Sequence, residues 1–195
     1  MAHPILAPLA KFAAISIAAS QFANTPDPKP AVTFKAISVS GMATLLPTAG
    51  KKATVLVFVA HDCPVCNIYA PEIIRISREY RLKGVACYIV YAEKDLTATQ
   101  ATAHAKAYGL TGCGLLRDPN YALAHRARAT ITPEAVVLTP QGGIAYRGRI
   151  DDRYVTFGMA RARVTHHDLR DALDSVLSGK PAEASTGKAV GCAIP

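Results

Sequence analysis

Cys63-Pro64-Val65-Cys66 puts two thiols three positions apart, directly behind the apolar run 54–60. A strand that ends in CxxC and feeds a helix sets the first sulfur at the helix N-terminus. The unpaired N–H groups and the positive dipole end there favour a thiolate over a thiol. The second sulfur lies one turn in, close enough to attack a mixed disulfide formed at the first. Cys63 is therefore expected to be the more acidic and more accessible of the two. Such a pair cycles between dithiol and disulfide, so thiol redox chemistry is the leading reading. The rivals are a static disulfide and half of a metal site. Structural zinc wants four ligands, and no second CxxC or paired His stands at suitable spacing. Asn67 follows Cys66 where covalent haem attachment requires His. A copper carrier of the two-cysteine-plus-histidine type stays open, with His61, His104 and His125 available.

These sulfurs need elements to position them. From Pro64 the apolar positions Val65, Tyr69, Ile73, Ile76 and Tyr80 recur at helical spacing, and Gly84 sits where a C-terminal cap belongs. Pro71 interrupts this helix and costs it a backbone hydrogen bond. Segments 33–40 and 43–46 predict a β-hairpin turned at Gly41, and 54–60 and 85–91 predict central strands. Thr97-x-x-Gln100 is a capping box for a helix to Tyr108, ended by Gly109. Asp118-Pro119 predicts a short helix to about Ala127, with the proline at its first position. Strands are expected over 135–139 and 143–147, and Thr165-x-x-Asp168 is expected to cap a last helix to about Leu177. Alternating strands and helices with an antiparallel end hairpin give an α/β fold, a mixed sheet sandwiched by helices with an N-terminal β-hairpin extension.

Strand, CxxC, helix and a proline five residues past Cys66 together resemble the thioredoxin superfamily. Ala129-Thr130-Ile131-Thr132-Pro133, ahead of the run 135–139, extends the resemblance to roughly 33–178. It implies a thioredoxin-like fold, with Pro133 cis beside the CxxC pair and the backbone of Thr132 facing the disulfide and pairing with substrate. The leading hairpin is similar to that of extracytoplasmic thioredoxin-like reductases of cytochrome maturation, and to the redoxin group. In those reductases a glutamate near the place of Glu93 shuttles a proton to the buried cysteine. The insertion 150–164 and the terminal Gly191-Cys192 resemble redoxin-domain proteins of the alkyl-hydroperoxide-reductase and thiol-antioxidant group. Departures from thioredoxin itself are Val57, where its buried aspartate stands, and Asp62, which replaces the tryptophan before the first cysteine and opposes thiolate formation.

Composition agrees with one domain of sizeable core: 195 residues, 50% hydrophobic, with a mean hydropathy of +0.17. The net charge of +8 is scattered along the chain, and only 7% of residues are aromatic, with no Trp. That pattern fits a solvated basic surface rather than a nucleic-acid binder. Residues 1–30 read as a secretory signal peptide and a proline-rich linker, which implies an extracytoplasmic domain over 31–178; membrane contact is expected only through this segment if it stays uncleaved. Residues 179–195 read as a flexible tail carrying Cys192, expected to be inert. Cys87 reads as a buried structural thiol, and Cys113 is left undecided.

Three function classes follow. The first is a thiol–disulfide oxidoreductase in which Cys63 attacks and Cys66 resolves, acting on protein thiols and disulfides with an upstream reductase or oxidase as partner and no cofactor or metal. The resemblance adds Glu93 to its catalytic set and Thr132 and Pro133 as substrate-binding residues. The second is a peroxiredoxin-type peroxidase, with Cys66 or Cys192 resolving a sulfenic acid. Ala60 and Leu56 stand where that class has threonine and proline, which weighs against it. The third is a copper-binding thioredoxin-like chaperone or redox-dead binding domain.

Overall fold

The computed structural model describes residues 32–195 together with Met1; the expected leader and linker, Met1 aside, lie outside the described residues. In chain order the elements are β1 (Phe34–Ser38), β2 (Ala43–Leu46), β3 (Ala53–Val59), α1 (Pro64–Leu82), β4 (Val85–Tyr91), α2 (Ala98–Ala107), β5 (Gly114–Arg117), α3 (Ala122–Ala127), β6 (Ile131–Thr132), β7 (Glu134–Leu138), β8 (Ile144–Gly148), β9 (Tyr154–Thr156), β10 (Met159–Ala160), α4 (Asp168–Leu177) and β11 (Cys192–Ala193). Seven strands form a mixed sheet in the order β2-β1-β5-β4-β3-β7-β8. The central β3 runs parallel to β4 and antiparallel to β7, pairing Val57 with both Ile89 and Ala135.

All seven residues of β3 are buried, because helices cover both faces of the sheet. Val55, Val57 and Val59 point to one face, where they meet Tyr69, Ile73 and Ile76 of α1 and Leu169 and Leu173 of α4. Leu56 and Phe58 point to the other, against Phe34 and Leu46 of the hairpin and Leu123 and Ala127 of α3. This is a thioredoxin-like α/β fold. No helix among the described residues is long and apolar enough to cross a membrane.

Local punctuation falls close to expectation. Gly41, Gly84 and Gly109 take positive φ at the hairpin turn and just past the two helices, and the Thr97–Gln100 capping box closes in both directions. Two caps differ. Asp118 does cap α3, accepting from the N–H groups of Leu123 and Ala124 at 3.0 and 2.8 Å. Residues 119–121 intervene as a turn, however, so Pro119 lies outside the helix. Thr165 does not cap α4: its hydroxyl and N–H donate to the carboxylate of Asp152, at 2.5 and 2.8 Å. Asp168, at the start of that helix, binds Arg149 instead.

The insertion at 150–164 divides in two. Asp151 and Asp152 are buried at 5% and 1% exposure, while the β9–β10 hairpin behind them lies at the surface with Val155, Phe157 and Met159 exposed. The Tyr69 hydroxyl, on α1, donates to Asp151 Oδ1 at 2.7 Å. Asp152 accepts from the Thr165 hydroxyl and from the N–H groups of Thr165 and His166, and Arg161 stands 3.3 Å away. Burial raises the Asp152 pKa, but these donors and the guanidinium outweigh it and hold the carboxyl below its usual range.

The tail also departs from expectation. Ser185 and Thr186 donate to Asp168 Oδ1, the Thr186 N–H at 2.9 Å, and β11 pairs antiparallel with β6. Backbone and side-chain donors thus give residues 179–195 fixed partners in place of a free extension. The tie between α1 and the insertion makes a stability prediction. Tyr69→Phe removes one of two donors to a buried carboxylate, leaving the Arg153 N–H at 2.9 Å, and should cost about 1–3 kcal/mol in urea unfolding with little change in slope.

Candidate active site

Cys63 is the N-cap of α1, with Pro64 at the first helical position and Asn67 N–H returning to the Cys63 carbonyl at 3.1 Å. The strand β3 ends four residues earlier, so the helix start is fixed to the edge of the central strand. Three things converge on the Cys63 sulfur. The Cys66 thiol donates to it, which is the strongest influence; burial opposes; the Cys192 thiol, 2.8 Å away, donates as well. The N–H groups of Cys66 and Val65 add to these. The sum lowers Cys63 from 9.0 to about 5, despite Asp62 next to it in the chain. Cys66 moves oppositely: burial first, and then its hydrogen bond to Cys63, push it far above the ordinary thiol range. Cys192 rises to about 11, through burial and then its donation to Cys63. The arrangement is one anion held by two thiols that keep their protons.

The acidity expected of Cys63 is present, but the accessibility is not. Cys63 is 1% exposed and Cys66 3%, because β11 brings Gly191 and Cys192 over the pair. The Cys63 sulfur also sits 3.6 Å from the Thr132 carbonyl oxygen, and the Thr132–Pro133 peptide bond is cis. Cys63, Cys66, Thr132 and Pro133 therefore meet at one place.

Glu93 lies beyond the end of β4 and does not hydrogen-bond to either cysteine. Its carboxylate accepts from the His61 N–H at 2.8 Å and pairs with His61 Nδ1 at 2.6 Å. The carbonyl of His61 accepts from the Asn67 amide, whose oxygen accepts from His104 Nε2 at 2.8 Å; the Tyr91 hydroxyl then meets His104 Nδ1 at 2.9 Å. That network assigns the His104 proton to Nε2. Burial, then the neighbouring His61, lowers the His104 pKa and keeps the ring neutral. Val57 is packed in the core at 1% exposure, so nothing ionisable stands beneath the sulfurs from that position. His61, Asp62 and Glu93 bring ligand-type atoms within 4.8 Å of one another, though His61 and Glu93 already satisfy each other.

Sequence reasoning placed Cys192 at this site only as the resolving thiol of the peroxidase alternative and otherwise expected it to be inert. A signal was present: Gly191-Cys192-Ala193-Ile194 carries a short β-compatible apolar run in a tail otherwise rich in Gly, Ala, Ser and Lys. Sequence reasoning missed a second thiol contact. Cys87 on β4 and Cys113, just before the adjacent β5, share a hydrogen bond with sulfurs 3.5 Å apart. That contact lowers Cys113 to about 7 and raises Cys87.

A family model described as Redoxin matches residues 25–156. No curated protein matches the chain. Among solved structures, a hypothetical protein from Sinorhizobium meliloti 1021 is 25% identical over 85% of this chain and 91% of its own, with a TM-score of 0.71. An uncharacterized conserved protein from Geobacillus kaustophilus is likewise 25% identical, covering 85% of this chain and 89% of its own, at a TM-score of 0.72. A secreted Mycobacterium tuberculosis disulfide oxidoreductase homologous to E. coli DsbE shares 18% identity over 75% of this chain and 95% of its own, with a TM-score of 0.50.

The donors around Cys63 give a direct test. Cys66→Ala removes the largest stabilising donor and should move the pH midpoint of thiolate ultraviolet absorbance upward from about 5. Cys192→Ala should move it upward by less. Equal midpoints in all three proteins would mean that the helix terminus alone sets the acidity.

Proposed function

The chain belongs to the redoxin family of the thioredoxin superfamily, and on that premise we propose that it is a thiol–disulfide oxidoreductase whose working pair is Cys63 and Cys66. The observation that carries the reading is the Cys63 anion, lowered to about 5 and held by a Cys66 thiol that keeps its proton. Cys63 attacks one sulfur of a substrate disulfide, forming a mixed disulfide and expelling the other substrate sulfur as a thiolate that takes up a proton. Cys63 then no longer holds the Cys66 proton in a hydrogen bond. Cys66 deprotonates and attacks the Cys63 sulfur, the Cys63–Cys66 bond forms, and the second substrate thiolate leaves. An upstream reductase returns the two electrons.

We assign Glu93 as the acceptor of the Cys66 proton, with His61 passing it outward. Support comes from its partly buried carboxylate, its bond to a histidine ring that is 37% exposed, and the absence of an ionisable group at Val57. Transfer passes through water, since no direct bond joins Glu93 to Cys66. Thr132 and Pro133 are read as the edge against which an extended substrate lies. The secreted structural neighbour from Mycobacterium tuberculosis and the leader-like segment 1–30 favour work outside the cytoplasm, on protein disulfides.

The purified protein should speed the reduction of insulin by dithiothreitol, and Cys63→Ser should abolish this. Cys66→Ser in a Cys192→Ser background should accumulate a mixed disulfide on Cys63. The rate should be flat above neutral pH and fall as pH drops through about 5, where Cys63 gains its proton. Rapid peroxide turnover without insulin reduction would move the assignment to a peroxidase. Copper retained through purification and lost in Cys63→Ser would move it to a metal carrier.

A further inference from the structure

Cys192 is 129 residues from Cys63 in the chain, yet their sulfurs are 2.8 Å apart, within about 1 Å of a covalent S–S bond. The approach is built rather than incidental. Asp168 and Arg149 grip Thr186 and Ser185 at the tail's midpoint. From there the chain runs to β6, where Cys192 pairs with Thr132 and Ala193 with Ile131 in antiparallel register. Ile194 N–H donates to the Thr130 carbonyl at 3.0 Å, the Thr132 hydroxyl donates to the Cys192 carbonyl at 3.2 Å, and His125 Nε2 stands 3.3 Å from the Pro195 carbonyl. Gly191 admits this path: a Cβ there would lie 1.8 Å from the Thr132 oxygen and 3.1 Å from Pro133 Cδ. Here an extended backbone presents a cysteine to the attacking sulfur, which is what a disulfide substrate must do.

We propose that the C-terminal strand is a built-in substrate of the dithiol: Cys192 exchanges disulfide with Cys63 while residues 191–194 fill the groove that an extended, cysteine-bearing polypeptide would occupy. The proposal rests on the oxidoreductase reading for its oxidised state, and adds a third redox-active residue to it. In the oxidised protein the Cys192 thiolate attacks the Cys63 sulfur of the Cys63–Cys66 disulfide. The Cys63–Cys192 bond forms, the Cys63–Cys66 bond breaks, and its electron pair goes to the Cys66 sulfur, which takes the proton Cys192 released. No external oxidant is consumed. The same attack on a mixed disulfide releases the substrate thiolate and leaves the groove closed by the tail.

The test uses the full chain with Cys66→Ser, treated with glutathione disulfide, quenched in acid with N-ethylmaleimide and digested by trypsin without reduction. Cleavage after Lys52, Arg75 and Lys188 leaves Cys63 in 53–75 and Cys192 in 189–195, so the expected product is these two peptides joined. Glutathione on Cys63 with N-ethylmaleimide on Cys192 overturns the proposal. Adding Gly191→Ala should lower the joined product by about tenfold or more (~1.4 kcal/mol), because the new methyl group drives the strand off Thr132. In the reduced protein the same change should let iodoacetamide reach Cys63 several-fold faster. An unchanged yield or labelling rate overturns the proposed register. Failure of the unsubstituted protein to reduce insulin would remove the oxidoreductase reading, and the peptide linkage would still report on Cys192 separately.

Discussion

An anion is being kept where almost no water reaches it. Stranding a charge in a protein interior costs several kcal/mol unless donors replace the lost hydration. At Cys63 the replacements come from separate stretches of the chain: a thiol one turn along α1, two backbone N–H groups at the same helix end, and a thiol from the far terminus. Each donor needs its own scaffold. The helix must start where β3 stops, β3 must be locked between β4 and β7, and the tail must return to β6. The rest of the fold follows from these requirements.

The two faces of the sheet divide this work. The face toward α1 and α4 carries the larger apolar cluster, and it continues without a break into the sulfurs themselves. Burial of Cys63 is therefore an extension of core packing rather than a cleft set apart from it. Tyr69 joins that helix to Asp151, and Asp168 joins α4 to the tail, so the segments that look like decorations on a minimal thioredoxin-like frame are tied to the two helices beside the site. The neutral His104, bridged by Asn67 to His61, makes a polar path along the other flank, from Tyr91 to the surface.

Legibility in the sequence tracked the range of the interaction. Features closed within a few residues were read nearly as they stand: the CxxC turn, the capping box at Thr97, the glycines past α1 and α2, and the uninterrupted apolar run of a strand covered on both sides. Two local signals misled, one because a more distant partner took its atoms and one because a turn came between cap and helix. Thr165 looks like a cap for α4, but Asp152 takes its hydroxyl and N–H. Asp118 caps its helix across a turn that Asp118-Pro119 alone does not reveal. Cys192, and the Cys87–Cys113 contact between neighbouring strands, depend on sheet order and on long-range return of the chain. Neither periodicity nor local spacing carries that information. Exposure at Cys63 failed for the same reason, since its cover comes from the other end of the molecule.

Gly191 has a consequence for what else can lie along β6. The wall it passes is made of backbone and a proline ring, the Thr132 carbonyl and Pro133 Cδ, and neither can swing aside as a flexible side chain would. A visiting polypeptide in the same register meets that wall at the residue just before its own cysteine. Only glycine passes without displacing the strand. In that register glycine ahead of the cysteine lies flush along β6, and a strand with a bulkier residue there sits shifted off the Thr132 carbonyl.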